Sequence, residues 1–259
     1  FAGTPEEGMI RNDQSQSSAA SSSAMQFYNG TAWKNFVNIV PCTTDNAAFP
    51  ITNLAYYKLN NNANDSSGNG YNGTAYNVNY NTGKFEEAGT FVYTGNGNTT
   101  SSIIYLPNNA LNSTDFSISS WVYITSGSGG VIVSNYLYNG SAEHGYKLYL
   151  TGSGQVQVDN WNPSLSRVTS TSSISSNTWV NVTLTNSQSQ IKIYIDGVLD
   201  STHSTNGILL ASSMLPAIGA TRYNNLYYDG FNGNIDQIRI FSSILTATQV
   251  TRLYNELQC

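Results

Sequence analysis

The sequence predicts an all-β protein that ends in one short helix, and three observations lead to this prediction. From Leu54 onward, short runs of alternating apolar and polar residues follow one another, as in strands with one buried face. Clusters of Gly, Asn and Ser separate these runs and predict turns. Apolar residues at helical spacing appear only near the C-terminus.

Residues 1–40 differ in character from the rest and predict a small N-terminal β segment. Residues 8–12 and 25–28 have the composition of short strands, and a stretch rich in Ser, Ala and Gln separates them. Asn29-Gly30 predicts a tight turn before a third strand at residues 33–37. A segment of this size cannot bury a core of its own, so we expect it to need neighbouring copies or a docking surface.

Residues 41–53 are interpreted as a linker, and residues 54–259 as one large β domain. In the strand predicted at residues 191–195, the isoleucines would point inward while Lys192 and Tyr194 point outward. Asp196-Gly197 then predicts a hairpin turn with positive φ angles. The same alternation occurs at Val180, Val182 and Leu184, and at Ile238 and Ile240.

The predicted helix begins after Thr246, which is placed as its N-cap. Val250, Leu253, Tyr254 and Leu257 follow at spacings of three to four residues. We therefore expect one apolar helix face to contact the β domain.

The composition excludes two classes of partner. Only 10% of the residues are charged, and the formal charge is −5 with 10 Lys and Arg residues. Binding to nucleic acid requires clustered cations that displace counterions from phosphates, so we expect no nucleic-acid partner. No apolar run approaches the ~18 residues that cross a bilayer, so we expect no membrane insertion.

Several segments between Leu54 and Tyr254 occur in an order and spacing that indicate a known fold. They are Tyr57-Lys58-Leu59, Asn64-Asp65-Ser66-Ser67-Gly68, Phe116-Ser117-Ile118-Ser119-Ser120-Trp121-Val122, Trp179-Val180-Asn181-Val182, Ile193-Tyr194-Ile195-Asp196-Gly197 and Phe231-Asn232-Gly233-Asn234-Ile235-Asp236. Together they resemble the laminin-G-like domain, a concanavalin A-like lectin jelly roll. The resemblance implies a two-sheet antiparallel sandwich that binds sugars or proteins far more often than it catalyses a reaction.

The N-terminal segment carries a second resemblance. Gly8-Met9-Ile10-Arg11-Asn12-Asp13 and Phe27-Tyr28-Asn29-Gly30-Thr31-Ala32-Trp33-Lys34 are similar to a small β module of bacteriophage tail-fibre and other virion appendage proteins. In those proteins the module is a connector or a trimerisation unit. The alternative is an ordinary hairpin that packs on the β domain.

The two cysteines of the chain are Cys42, in the predicted linker, and Cys259, the last residue. Because the two chain ends of closed jelly rolls lie side by side, the resemblance makes a Cys42–Cys259 disulfide geometrically reasonable. The bridge would contribute about 4 kcal/mol on the chain-entropy model. It requires an oxidising compartment, and two free thiols are the alternative.

The resemblance also implies a calcium site. Residues 64–73 combine oxygen donors with glycines, and Ca²⁺ takes about six to eight oxygen ligands. Laminin-G-like proteins frequently hold a structural Ca²⁺ between this loop and the acid of a Gly-x-Ile-Asp segment, and the matching positions are Asp65 and Asp236. The alternative is that these aspartates accept hydrogen bonds from nearby backbone amides.

Three predicted loops, at residues 135–139, 159–163 and 222–229, place aromatic residues beside amides and acids. A sugar ring has an apolar face and a rim of hydroxyls, so its binding site needs an aromatic platform flanked by Asn, Asp or Arg. Trp161 is the strongest candidate because we expect it in a loop. The predicted ligand-binding residues are Trp161, Tyr136, Tyr138, Tyr223, Tyr227 and Tyr228. The alternative is that these side chains pack against neighbouring loops or subunits.

No catalytic residues are predicted. Glucanases of the same jelly-roll superfamily carry a Glu-x-Asp-x-Glu strand, and this sequence has none. Glu86 and Glu87 are adjacent and would point to opposite sides of a strand. Neither His144 nor His203 lies in a nucleophile motif. We therefore expect that the chain is not an enzyme.

These inferences lead to three hypotheses of function. The first is a structural protein of a tailed-phage particle (a fibre, appendage or head decoration) on the extracellular virion surface. Its partners would be other virion proteins and host-surface glycans, and homo-oligomers, including trimers, would multiply weak contacts. The second is a secreted bacterial adhesin or carbohydrate-binding module. The third is a capsid cement protein that binds no sugar.

Overall fold

The computed structural model describes residues 10–13, 24–28, 31, 33–35, 53–125, 129–138, 141–162, 164–208, 210 and 213–256. The chain divides into two units, Phe1–Ala48 with Leu257–Cys259, and Phe49–Glu256. Both cysteines of the predicted disulfide, Cys42 and Cys259, lie outside the described residues.

The first unit contains a three-stranded antiparallel sheet. Its strands are β1 (Ile10–Asp13), β2 (Ala24–Tyr28) and β3 (Trp33–Asn35), in the order β1-β2-β3. Ile10 pairs with Phe27, and Tyr28 pairs with Trp33. Strands are therefore present within each of the predicted ranges 8–12, 25–28 and 33–37, whereas the predicted turn at Asn29-Gly30 lies outside the described residues.

The second unit is a sandwich of two antiparallel sheets. Its strands are β4 (Ala55–Tyr57), β5 (Thr74–Tyr76), β6 (Asn79–Thr82), β7 (Glu87–Phe91), β8 (Ile103–Tyr105), β9 (Phe116–Tyr123), β10 (Gly130–Tyr138), β11 (Glu143–Leu150), β12 (Gln155–Trp161), β13 (Leu165–Ser173), β14 (Trp179–Asn186), β15 (Gln190–Ile195), β16 (Val198–Ser204), β17 (Leu215–Ile218), β18 (Thr221–Tyr223), β19 (Leu226–Tyr228) and β20 (Gly233–Phe241).

The seven-stranded sheet has the order β13-β12-β11-β10-β17-β8-β5. The eight-stranded sheet has the order β16-β15-β14-β9-β20-β7-β6, and β4 pairs with β20. The remaining two strands, β18 and β19, form a separate hairpin that contacts β10 and β17.

The core lies between the two sheets, where every second residue of the central strands points inward. Val133, Leu148 and Val158 of the seven-stranded sheet are fully buried, as are Ile118 and Val182 of the eight-stranded sheet. Burial of such side chains is the main favourable term in folding, at about 25 cal/mol per Å² of apolar surface. The predicted alternation is thus the pattern that forms this core.

Helix α1 (Ala247–Tyr254) packs on part of the outer face of the eight-stranded sheet. Thr246 is its N-cap as predicted, and it forms a capping box with Gln249. Val250 and Leu253 pack in a cluster that includes Tyr194. Tyr194 points outward from the core as predicted, and the helix buries it there.

The turn between β15 and β16 also follows the prediction. Asp196 and Gly197 have φ angles of 48° and 78°. A Cβ atom at Gly197 would lie 2.8 Å from the Cβ atom of Tyr254, so the helix passes close over this turn.

The predicted fold class is confirmed: a two-sheet antiparallel jelly-roll sandwich of the concanavalin A-like type, with a small N-terminal β segment and one short C-terminal helix. Within the described ranges, α1 is too short to span a bilayer, and no long apolar helix is found there.

Candidate functional site

The outer face of the seven-stranded sheet, which is turned away from the core, is rich in polar and aromatic side chains. In β11, Tyr146, Leu148 and Leu150 are fully buried, so Glu143, Lys147 and Tyr149 alternate with them on the other face. Residues of the neighbouring strands that pair with these positions lie on the same outer face. Tyr138 lies opposite Glu143, Asp159 opposite Lys147, and Trp161 opposite Gly145.

Glu143 holds two aromatic side chains together on this face. The Trp161 indole Nε1 donates a hydrogen bond of 2.7 Å to Glu143 Oε2, and the Tyr136 hydroxyl donates to Glu143 Oε1. The two rings lie 4.9 Å apart at an angle of 61°. Burial, followed by the hydrogen bond to Glu143, raises the pKa of Tyr136 above its usual range. Tyr136 therefore remains a donor at neutral pH.

Lys147 lies beside the same two rings. Its Nζ atom is 4.6 Å from the ring centroid of Tyr136 and 5.1 Å from that of Trp161. The same atom is 2.9 Å from Asp229 Oδ2, so cation–π contacts and an ion pair fix it in place. The Asp229 backbone N–H donates to Asn96 Oδ1 over 2.8 Å, which ties the loop after β19 to another loop at this end of the sheet.

The prediction that the six aromatic residues lie in loops was wrong, because all six lie in strands: Tyr136 and Tyr138 in β10, Trp161 in β12, Tyr223 in β18, and Tyr227 and Tyr228 in β19. Trp161 is the last residue of β12 and Tyr136 lies within β10, and the two side chains are 5% and 7% exposed. The end of β12 was missed because Asn160 occupies an inward position where the alternation predicts an apolar residue. The Asn160 side-chain N–H₂ group donates a 2.7 Å hydrogen bond there to the carbonyl oxygen of Gly207, while its Oδ1 atom is buried without a partner.

Three other predicted residues form an aromatic row, which we call the tyrosine row: Tyr138, Tyr223 and Tyr228. The ring centroids of Tyr138 and Tyr223 are 5.2 Å apart, and those of Tyr223 and Tyr228 are 6.3 Å apart. Tyr138 is 36% exposed, and the other two are half-buried. We call Glu143, Tyr136, Trp161 and Lys147 the Glu143 cluster. Tyr138 and Glu143 are opposite each other in the sheet, so the tyrosine row begins beside this cluster.

Tyr227, the remaining predicted ligand-binding residue, is buried and packs against the sheet. It is 5% exposed and packs in a small cluster with Ile103, Ala217 and Ala220. Its hydroxyl accepts a 3.0 Å hydrogen bond from the Tyr105 hydroxyl. Tyr227 therefore anchors the β18–β19 hairpin to the sheet.

The charged residues of the outer face were not predicted from the sequence. Glu143 and Lys147 lie in β11, where the buried residues Tyr146, Leu148 and Leu150 alternate with more exposed ones. That pattern assigns both charged residues to the outer face. Their contacts with Trp161 and Asp229 depend on strand register, which the sequence pattern does not give.

Asp65 organises the loop after β4 through four hydrogen bonds. Its Oδ1 atom accepts from the backbone N–H groups of Tyr56 and Ser67, at 2.9 and 2.8 Å. Its Oδ2 atom accepts from the Ser67 hydroxyl and the Tyr71 N–H, at 2.8 and 3.0 Å. Partial burial raises the pKa of Asp65, but these hydrogen bonds outweigh it and leave the pKa below its ordinary value.

Asp236 lies in β20 and is fully buried. Its Oδ2 atom accepts a 3.0 Å hydrogen bond from the Phe85 N–H, while Oδ1 is buried without a hydrogen-bond partner. Burial raises the pKa of Asp236 to about 7, against the lowering effect of its hydrogen bonds from Phe85, Lys84 and Gln237. Among the described residues, no three or more His, Cys, Asp or Glu side chains are grouped as metal ligands.

Comparison with known proteins supports the fold. Residues 96–251 match the family described as the concanavalin A-like lectin/glucanases superfamily. The structure is similar to domain 4 of AbnA, a GH43 extracellular arabinanase from Geobacillus stearothermophilus, solved in complex with arabinotriose. The TM-score is 0.64 at 22% identity, and the match covers 79% of this chain and 99% of that one.

Two toxin binding domains are also similar. One is the binding domain of Paraclostridial Mosquitocidal Protein 1, with a TM-score of 0.58, 23% identity, and coverage of 74% of this chain and 49% of that one. The other is the binding domain of botulinum neurotoxin DC in complex with rat synaptotagmin II. Its TM-score is 0.59 at 19% identity, with coverage of 80% and 52%. The chain thus spans about half the length of these two domains. No protein with a curated description matches the sequence.

Proposed function

The chain belongs to the concanavalin A-like lectin/glucanases superfamily, and from this premise we propose that it binds glycans on the outer face of its seven-stranded sheet without catalysis. The observation that carries the proposal is the tyrosine row beside the Glu143 cluster. Exposed or half-exposed rings in series suit the apolar faces of consecutive sugar rings. Carboxylate and ammonium groups at one end of the row suit sugar hydroxyls.

This proposal assigns different roles to the aromatic residues than the sequence alone suggested. Tyr138, Tyr223 and Tyr228 supply contact surface because their rings reach solvent. Trp161 and Tyr136 are too buried to stack on a sugar, so they hold Glu143 and Lys147 in fixed positions. Fixed polar groups lose little entropy when a ligand binds, which favours recognition.

The charged groups of the outer face favour binding over hydrolysis. A glycosidase needs one protonated and one ionised carboxyl group on either side of the scissile bond. Here Asp159 pairs with Arg167 over 3.0 Å, and Asp229 pairs with Lys147. The carboxylates of Asp159 and Asp229 are therefore already engaged by cations. Both oxygens of Glu143 accept hydrogen bonds from aromatic side chains.

A glycan array tests the proposal. We expect the wild-type chain to bind a set of bacterial surface polysaccharides or related oligosaccharides. Tyr138→Ala and Tyr223→Ala should each weaken that binding by about tenfold, since aromatic contacts contribute about 1 kcal/mol or more. Tyr123→Ala is the matched control, because Tyr123 is a half-buried tyrosine of the eight-stranded sheet that packs on Trp179. Clean negatives across the array would favour the cement hypothesis.

We place this glycan-binding domain on a phage virion, as a fibre, appendage or head-decoration protein outside the cell. Support comes from the resemblance of the N-terminal segment to virion connector modules and from its three-stranded sheet. Homo-oligomers, including trimers, and contacts with other virion proteins would raise avidity. Co-purification with phage heads or tails is the expected result. Recovery with a bacterial cell-wall fraction would instead support a secreted adhesin or carbohydrate-binding module.

A structural Ca²⁺ at Asp65 and Asp236 remains a proposal. The Oδ1 atom of Asp236, which is buried without a hydrogen-bond partner, would be one oxygen ligand. Asp65 already accepts four hydrogen bonds, so a cation there would have to replace some of them. If Ca²⁺ is structural, EDTA should lower the melting temperature of the wild type and leave that of Asp236→Asn unchanged. An unchanged wild-type melting temperature would exclude the site.

A further inference from the structure

Arg222 lies on the β18–β19 hairpin, on the side opposite to the tyrosine row. Its guanidinium carbon is 4.2 Å from the ring centroid of Tyr105. The Tyr105 ring is in turn 4.6 Å from that of Tyr76, which is 42% exposed. Arg222 Nη2 donates a 2.9 Å hydrogen bond to Asn225 Oδ1 at the tip of the hairpin. We call Arg222, Tyr76, Tyr105 and Asn225 the arginine site.

The charge of Arg222 is not balanced by a carboxylate in the part of the chain that the structure describes. Lys147, Arg167 and Arg239 each lie within ion-pair distance of an acid, whereas Arg222 does not. Its Nε atom is buried without a hydrogen-bond acceptor and is not open to a ligand. Apart from the bond from Nη2 to Asn225, no hydrogen bond joins the guanidinium to another described residue. The remaining terminal N–H groups can therefore donate to a ligand or to solvent.

We propose that the arginine site binds the carboxylate of an acidic sugar, so that the glycan recognised by this domain is anionic. The planar guanidinium matches a carboxylate, and its stacking on Tyr105 holds it in one orientation. The exposed ring of Tyr76 offers an apolar platform beside it. This inference rests on the proposed glycan binding and adds the chemical class of the ligand.

The hairpin connects the arginine site with the tyrosine row. Arg222 and Tyr223 are neighbours in β18, so their side chains lie on opposite sides of the hairpin. Tyr223 contacts Tyr138, while Arg222 contacts Tyr105. An oligosaccharide that crosses the hairpin would therefore meet aromatic rings on one side and the cation on the other.

Isothermal titration with matched ligands tests the inference. The probes are trigalacturonate and its methyl ester, which keeps the shape and loses the charge, and sialyllactose with lactose as a second pair. We expect the wild type to bind at least one acidic probe at least about tenfold more tightly than its neutral counterpart. Added salt should weaken the binding of the acidic probe and leave the binding of the neutral probe unchanged. The pair that shows the preference identifies uronic or sialic acid as the source of the carboxylate.

Variants assign the preference to Arg222. Arg222→Gln should abolish the difference between the acidic and neutral probes, and Arg222→Lys should keep only part of it because the planar fork is lost. Lys192→Gln, in β15 of the other sheet, makes the same charge change and should leave the preference intact. Melting temperatures within a few degrees of that of the wild type will show that the variants are folded.

The outcomes separate this inference from the proposed function. Equal affinity of the wild type for acidic and neutral probes would overturn the inference while glycan binding stands. A preference that survives in Arg222→Gln would overturn it as well. The absence of binding to every acidic and neutral glycan, on the array and in titration, would overturn both.

Discussion

At Glu143 a single carboxylate accepts hydrogen bonds from the Trp161 indole and the Tyr136 hydroxyl. Both donors are buried, and they belong to β10 and β12, the two strands that flank β11 in the seven-stranded sheet. A buried donor without an acceptor costs more than a hydrogen bond contributes, because its desolvation is not offset. The geometry of the outer face therefore depends on this one acid.

Glu143→Gln should lower the free energy of unfolding by about 1 kcal/mol, because glutamine offers one acceptor oxygen to two donors. The loss is no larger because residue 143 is exposed and solvent can replace part of the lost interaction. Urea unfolding followed by circular dichroism measures it. Glu87→Gln, at the start of β7, is the matched control and should change stability by less. Equal stability of Glu143→Gln and the wild type would mean that the two donors find other acceptors.

The buried carboxyl group of Asp236 should make the free energy of unfolding decrease as pH rises. Its pKa in the folded state is about 7 because it is buried, whereas an unfolded aspartate titrates near 4. The folded state thus binds the proton more tightly, and the contribution of Asp236 to stability falls as pH rises from about 4 to about 7.

Asp236→Asn has no proton to lose and should lack this decline. In EDTA, the stability of the variant relative to the wild type should rise between pH 4 and pH 8, by up to about 4 kcal/mol. Chemical unfolding of both proteins at several pH values measures the difference, in which all other titrating groups cancel. A difference that stays constant across this range would contradict the buried, ionisable position of Asp236.

At the scale of elements, helix α1 protects the outer face of the eight-stranded sheet. Its capping box at Thr246 and Gln249 satisfies N–H groups that no helical carbonyl can reach. Val250 and Leu253 bury the outward face of the sheet at Tyr194. Arg239 of β20 also pairs with Glu256 just after the helix.

Thr246→Ala should lower the free energy of unfolding by about 1 kcal/mol, because it removes the N-cap acceptor. Thr248→Ala lies in the exposed first turn of the same helix and serves as the control. It should be neutral or slightly stabilising, because alanine has the higher helix propensity. Thermal unfolding distinguishes the two, and an equal effect of both substitutions would argue against the cap.

The elements also show what the sequence could and could not predict. Alternation located β14, β15 and β20, since their inward positions are apolar, and the capping signal located α1. Asn160 hid the end of β12, because a buried amide breaks the apolar pattern while its hydrogen bond to Gly207 preserves the strand. The pairing of Trp161 with Glu143 needs the register of β11 and β12, which is a tertiary property.

For the whole molecule, the two sheets of the sandwich have different outer faces. Helix α1 packs on part of the outer face of the eight-stranded sheet, around Tyr194, whereas the seven-stranded sheet presents the tyrosine row, the Glu143 cluster and the β18–β19 hairpin. Polar and aromatic side chains on an otherwise regular sheet are typical of a binding surface. We propose that the domain binds its ligand on this outer face.

Chemical-shift mapping by NMR tests whether this outer face binds the ligand. The oligosaccharide that binds best on the array is titrated into the isotope-labelled full chain. We predict that the backbone amides of β10, β11, β12 and the β18–β19 hairpin shift, and that those of β14, β15 and α1 do not. Shifts confined to the eight-stranded sheet, or to the loop organised by Asp65, would contradict the account.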